Sequence, residues 1–373
     1  MRITAFGDLH LDSAFVAYGI HDASARREML RTVFLNIIST VKENNSDLLL
    51  ICGDLFDLPT PTPESASLVI SELSSLDIPV FITPGNHDYY IEGGVYDNMP
   101  QNVFVFKNEE LESVSVDSLG VCVDGYAFLS DAYNKNPLSG YKSAENTKTR
   151  ILCAHTDMST GSKYAPFDKE DLAKTEFVFA ALGHVHGNTA PFNAGSCTAA
   201  YSGAVQGKGF DEPQNGFLNV IDIDENNICS VEQISVALWN NLIYQISVDD
   251  AASDQDILRR ITAECNNTDM TENDTVRIEL VGEYDFHFSP NINYITLELK
   301  KLFNRSDIFL KNYSSPKLDG EFLSTDPSVA GVLYRTLFED TEFMAAYSED
   351  ARKRAFNLSM KALTGNDIDP ESI

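Results

Sequence analysis

Five short segments of this chain carry side chains that can hold a metal ion or move a proton. They are Asp8 and His10 in GDLH, Asp54 and Asp57 in GDLFD, Asn86, His87 and Asp88 in GNHD, His155 after RILCA, and His184 and His186 in GHVH. Of seven histidines in the chain, these segments hold five. Carboxylates, imidazoles and one amide oxygen, with no thiolate among them, suit a divalent ion such as Mn²⁺, Fe²⁺ or Zn²⁺ rather than a structural cysteine-zinc site. One ion cannot use so many ligands. A carboxylate such as Asp54, flanked by the others, can bridge two ions about 3.5–4 Å apart. Two ions that close bind both non-bridging oxygens of a phosphoester and lower the pKa of a water held between them. Taken singly, the segments have blander uses: His155 as a core histidine, Asp57 and Asp88 as loop caps or as carboxylates that orient metal-bound imidazoles, Asp12 as a turn former. Their conjunction points to a metal centre.

The elements around these segments must bring them together. RITAFGD, SDLLLICGD and IPVFITPGNHD each end an apolar, β-branched run in a ligand segment, and residues 25–43 and PESASLVISELSSL between them are helical by spacing. Strands alternating with helices predict a parallel sheet, whose strand ends are where open α/β folds gather ligands. In an extended chain, residues i and i+2 point to one side, so Asp8 and His10 are expected to reach one spot together. From Val114 onward shorter strands follow (SVSVD, GVCVDGY, TRILCAH, EFVFAALGH, TAAYSG, GFLNVIDI), which a second sheet packed on the first would explain. A further unit is expected from about residue 236, with LIYQISVDD, DILRRITAEC, DTVRIELVGEYDF, ITLELKKLF and IFLKNY as strand, helix, strand, helix and strand. A loop after Pro316 and helical text over 329–363 complete the chain.

Composition describes a globular protein, with 43% hydrophobic and 22% charged residues. No apolar run is long enough to span a bilayer, no export signal is visible, and six scattered cysteines form no CxxC pair. The expectation is a cytoplasmic protein without membrane attachment. The formal net charge of -29 repels polyanions, so a nucleic-acid function needs a local basic patch, bound cations or a partner that supplies the grip. GAVQGKG over 203–209 has the wrong spacing for a P-loop.

The order D-x-H, GD-x-x-D, GNHD, a lone His and GH-x-H resembles the calcineurin-like metallophosphoesterase superfamily. DLHLDSAF, GDLFD and YSGAVQGKGFDEPQNGF (201–217) are most similar to its Mre11/SbcD-type nucleases, in particular the YhaO-like DNA repair exonuclease branch. The resemblance implies a four-layer α/β/β/α sandwich over residues 1–235, an α/β capping domain over 236–316, and a C-terminal helical segment over 317–373 that could bind an ATPase partner. It puts one metal between Asp8, His10, Asp54 and His186, and a second between Asp54, Asn86, His155 and His184. His87, with Asp88 beside it, would be the catalytic group that protonates the leaving oxygen or stabilises the transition state. Lys208 would meet substrate phosphate. Asp57 stands where archaeal and eukaryotic Mre11 carry a second histidine, and bacterial relatives commonly have Asp there. The implied function is a two-metal, Mn²⁺-dependent DNA exo/endonuclease that works with an SMC-like ATPase of the Rad50/SbcC/YhaN type, as a homodimer. The alternatives are a small-molecule phosphodiesterase or phosphatase of the same superfamily and a non-catalytic scaffold.

Overall fold

A computed structural model describes residues 1–16, 18, 20–141, 149–159, 161–187, 189–212, 214–268, 270–303 and 307–363, the side chains of 20 and 21 excepted. Residues 364–373 of the expected C-terminal segment therefore lie outside the described residues. The chain forms two compact units, Met1–Asn241 and Leu242–Ile373. No described helix is long and apolar enough to cross a membrane.

In the first unit, β1 (Arg2–Phe6), α1 (Ile20–Glu43), β2 (Leu48–Ile51), α2 (Pro63–Ser74), β3 (Val80–Ile82) and β4 (Val103–Val105) build the parallel part of one sheet. A second set follows: β5 (Glu112–Val116), β6 (Val121–Gly125), β7 (Thr149–His155), α3 (Lys169–Ala173), β8 (Phe177–Gly183), β9 (Phe192–Ala194) and β10 (Cys197–Tyr201). The chain then returns through β11 (Leu218–Ile223) and β12 (Cys229–Ile234) to the first sheet. The two six-stranded sheets have the orders β12-β11-β1-β2-β3-β4 and β5-β6-β7-β8-β10-β9.

Alternation along the strands explains the layering. Leu48, Leu50 and Cys52 enter a core shared with Val121, Val123, Ile151, Cys153 and Phe179 of the other sheet, whereas Leu49 and Ile51 meet Leu30, Val33, Phe34 and Ile37 of α1. A strand buried on both faces reads as an unbroken apolar run, which is what LLLIC does. The free face of the second sheet is covered by α3 and by loop residues such as Tyr126, Phe128, Tyr133 and Phe167, so the fourth layer is mostly loop. At the start of α2, Thr62 Oγ1 accepts the Ser65 N–H at 3.3 Å and Pro63 occupies the first turn, where its missing N–H costs nothing.

The first unit runs past the expected boundary at 235 because Val236 and Trp239 are buried in its helix-side core. In the second unit, β13 (Asn241–Ser247), α4 (Asp254–Asn266), β14 (Thr275–Val281), β15 (Glu283–Tyr284), α5 (Ile292–Leu302), β16 (Ile308–Asn312) and β17 (Ser315–Pro316) follow the expected order, with β13, β14 and β16 in one sheet. The helical text resolves into α6 (Gly320–Thr325), α7 (Val329–Phe338), α8 (Thr341–Ala346) and α9 (Glu349–Leu363). These helices are not a separate body. Leu323, Leu337 and Phe356 pack with Phe286 and Leu318, and Lys361 Nζ donates to the Asn312 carbonyl at 3.0 Å.

Candidate metal centre

All five ligand segments lie just beyond the carboxyl ends of parallel strands: Asp8 and His10 after β1, Asp54 after β2, Asn86 and His87 after β3, His155 ending β7, and His184 and His186 after β8. The first two segments continue side by side past the sheet. Asp8 N–H donates to Gly53 O (3.0 Å), His10 N–H to Asp54 O (2.9 Å) and Leu11 N–H to Leu55 O (2.9 Å). Leu9, Leu11, Leu55 and Phe56 are fully buried pegs between the ligands. The expected extended geometry does not hold, however: Asp8 (φ 56), His10 (φ 51) and Asp54 (φ 50) are left-handed. Asp and His tolerate this region better than most residues, and the loops use it to turn ligands inward while the leucines turn to the core. Two glycines make room for the result. A Cβ on Gly53 would collide with the His155 ring, and one on Gly85 with the Asp54 carboxylate.

The side chains converge. Asp54 Oδ1 accepts the His87 N–H at 2.9 Å, while Oδ2 lies 3.4 Å from His155 Nε2 and 3.7 Å from His10 Nε2. Asn86 Oδ1 stands 3.0 Å from His155 Nε2 and 3.1 Å from His184 Nδ1. The Asp8 carboxylate takes the His184 N–H and lies 3.7 Å from His186 Nε2. Three imidazoles have their outer nitrogen tied down: His10 Nδ1 donates to Asp57 (3.0 Å), His155 Nδ1 to the Cys52 carbonyl (2.9 Å) and His186 Nδ1 to Glu212 Oε1 (2.6 Å). This leaves the Nε2 lone pairs facing inward, the usual arrangement around a metal-bound histidine. Three groups, Asp8 with His10 and His186, Asp8 with Asp54 and His155, and His10 with Asp54 and His87, each bring three ligand atoms within 4.8 Å of one another.

Electrostatics agrees with a cation site. Burial, aided by Lys208, lowers His10 to about 4; burial and the neighbouring His155 lower His184 to about 4. Both rings are thus neutral, lone-pair ligands. Burial raises Asp8 to about 6 against the pull of His186 and His155. Burial opposes charge on Asp54 too, but His155, His10 and His87 outweigh it and hold the carboxyl far below the usual range. His155 moves the other way, to about 9, because Asp54 and Asp8 overcome its burial. The two carboxylates draw positive charge to one point, as a proton or as a metal. Carboxylate, imidazole and amide donors without a thiolate fit one or two divalent ions.

Two expected site residues sit differently from their neighbours. The His87 ring is 48% exposed, edge-on to His10 at 4.8 Å, and open to solvent. Asp88, expected beside it in catalysis, turns inward and is fully buried. It accepts the N–H groups of Gly85 (2.7 Å), Asp54 and Phe56 (3.1 Å each) and the Tyr96 hydroxyl (2.5 Å), so it braces the loop instead of facing the cluster. Lys208 lies beside the cluster, 3.7 Å from Glu212. Asp12 receives the Thr62 N–H, its hydroxyl and the Ser65 hydroxyl, tying the first loop to α2.

Sequence reasoning missed Glu212, which carries the His186 contact, and Tyr164, whose ring packs on His184 at 4.4 Å. It also missed Ser202, whose hydroxyl accepts the Gly7 N–H at 2.9 Å, and Tyr96. Only Glu212 left a signal, as the single glutamate of the Gly-rich stretch 201–217. Burial raises its carboxyl, but His186 and Lys208 reverse this and hold it at about 2.

Residues 1–188 match the family model described as calcineurin-like phosphoesterase. Among curated proteins, the chain is similar to the uncharacterised metallophosphoesterase YhaO of Bacillus subtilis (strain 168), 29% identical over 197 residues, 48% of this chain and 47% of that protein. It is also similar to the DNA double-strand break repair protein Mre11 of Thermoplasma acidophilum, 22% identical over 385 residues, 97% of this chain and 95% of that protein. A third relative is a component of the nuclease SbcCD of Staphylococcus epidermidis, 23% identical over 221 residues, 50% of this chain and 58% of that protein. The match thus spans about half the length of the first and third relatives and nearly all of the second.

Proposed function

The chain belongs to the calcineurin-like phosphoesterase family, and from that premise we propose that it is a two-metal phosphodiesterase that cuts DNA as an exo/endonuclease. The observation that carries this is the inward convergence of His10, His155 and His186 Nε2 on Asp8 and Asp54, each ring anchored from behind. Asp8, His10, Asp54 and His186 would hold one ion, and Asp54, Asn86, His155 and His184 the other, with Mn²⁺ best suited to such oxygen and nitrogen donors. Bound there, divalent cations supply Lewis-acid polarisation of the phosphoryl oxygens and a nucleophile available near neutral pH. The chain's own residues do the rest. Asp57, Cys52 O and Glu212 set the rings; Lys208 offers its ammonium to a phosphate oxygen; His87, half exposed and held by its loop, delivers a proton to the leaving oxygen.

DNA as substrate is supported by the near full-length similarity to a protein named for double-strand break repair. The relative named as part of the nuclease SbcCD supports an ATPase partner of the Rad50/SbcC type, and Val329, Val332 and Tyr347, each more than half exposed on or beside α7 and α8, are the surface we assign to it. The Leu242–Ile373 unit would carry this surface, and the chain would act as a homodimer. Six cysteines, none of them in a disulfide among the described residues, suit the reducing cytoplasm. The net charge of -29 favours a second substrate class, a small phosphodiester, for which no polyanion need approach.

The test is digestion of end-labelled duplex and single-stranded DNA by metal-stripped protein with Mn²⁺ restored. His87→Ala is the control, and bis(p-nitrophenyl) phosphate is assayed in parallel. Loss of DNA cleavage by about 10²–10⁴-fold in the variant, with Mn²⁺ binding retained, is the expected result. Cleavage of the small diester alone moves the substrate to the second class. No cleavage of either, with two ions bound, leaves a scaffold.

A further inference from the structure

One carboxylate serves two functional side chains. Glu212 Oε1 accepts from His186 Nδ1 at 2.6 Å and lies 3.7 Å from Lys208 Nζ, while Oε2 accepts the Lys208 N–H at 2.9 Å. The three side chains are sheltered, at 15% exposure for Glu212, 16% for Lys208 and 28% for His186. The loop that carries Glu212 and Lys208 has little freedom. Glu212 N–H closes onto Gly209 O at 3.0 Å, and Glu212 O accepts from Asn241 Nδ2 at 3.3 Å. Fully buried Gln206 donates to Trp239 O and accepts the Leu238 N–H, and Asn215 joins Gly207 N–H to the same Trp239 carbonyl. Residues 238–241 thus strap the loop in place, and the Glu212 carboxylate is delivered to a set position rather than finding it by chance.

We propose that Glu212 is a positioning residue that couples metal holding to phosphate binding, a proposal whose Lys208 half rests on the phosphodiesterase reading above. Through Oε1 it fixes the His186 ring so that Nε2 faces Asp8 and His10, where the ligand atoms gather. Through the same atom it steers Lys208 toward the site. When the ammonium turns to a phosphate oxygen, the carboxylate charge falls on the imidazole alone, which makes that ring the stronger ligand. By reciprocity, a tighter metal then favours the phosphate.

The experiment titrates Mn²⁺ calorimetrically into the metal-stripped full chain and its Glu212→Gln, Lys208→Met and double variants. Steady-state hydrolysis of bis(p-nitrophenyl) phosphate and thermal melting run in parallel. Glu212→Gln is expected to weaken one of the two Mn²⁺ steps by about 10–100-fold at an unchanged melting temperature. Lys208→Met is expected to raise KM without weakening Mn²⁺, and the double variant to raise KM no further than Glu212→Gln does. Wild-type Mn²⁺ affinity in a folded Glu212→Gln protein would overturn the proposal. So would an equal loss of Mn²⁺ in Lys208→Met, which decides the matter even where Glu212→Gln fails to fold. If the wild-type chain binds Mn²⁺ and cleaves no diester, the phosphodiesterase reading fails while the Mn²⁺ comparison still judges Glu212.

Discussion

His10 and His186 face each other Nε2 to Nε2 across 3.2 Å, with both Nδ1 atoms turned away onto the carboxylates of Asp57 and Glu212. A carboxylate partner makes each Nδ1 the donor, so both Nε2 atoms present lone pairs to the same space. Two acceptors this close repel unless a positive charge lies between them.

A divalent ion should therefore stabilise the fold. Adding Mn²⁺ to the chelator-treated chain at about 100 times its Kd contributes roughly 2.7 kcal/mol. For a unit of this size that raises the melting temperature by about 5–10 °C. Thermal melts with EDTA and with Mn²⁺ measure it, and identical curves up to millimolar Mn²⁺ would remove the metal centre from consideration.

The Asp88–Tyr96 pair makes a separate prediction, on stability alone. Tyr96→Phe removes one charge-assisted hydrogen bond from a buried carboxylate and should cost about 1.5–3 kcal/mol in urea unfolding. Asp88→Ala should cost more, because the N–H groups of Asp54, Phe56 and Gly85 lose their acceptor together. Tyr96→Phe should keep Mn²⁺ affinity close to wild type. A tenfold loss of affinity in that variant would mean that Asp88 takes part in metal holding after all.

The strap at 238–241 predicts where the first unit can be cut. A fragment ending at Asn241 keeps buried Trp239 and the acceptors of Gln206 and Asn215. One ending at 235 loses them, and removal of the buried Trp alone should cost about 3–5 kcal/mol. Circular dichroism melts should give a cooperative transition for the longer fragment and a weak or absent one for the shorter. Equal stability would show that the strap contributes little.

The ligand segments were legible because each is local: a strand signature followed at once by Asp, Asn or His. The helices and sheets that frame them were legible for the same reason, as in α1, whose buried positions recur every three or four residues. Adjacent residues, however, could not be told apart. His87 and Asp88 are neighbours in GNHD, yet one ring opens to solvent and the other side chain, a carboxylate, is fully buried. The direction of a loop side chain depends on which backbone groups other strands bring to it, and Asp88 is claimed by N–H groups more than thirty residues away.

By itself, the sequence determined the chemistry available here: which side chains can bind a metal, in what order they come, and that strands precede them. Tertiary structure alone decided the rest. It turned Asp8, His10 and Asp54 into left-handed conformations, set Glu212 against a histidine 26 residues away, and drew Trp239 into the first unit beyond the boundary its local pattern suggested. The physical reason is that residue type and periodicity are properties of neighbouring positions. Hydrogen-bond partners and burial belong instead to groups that meet only when two sheets have closed on one another.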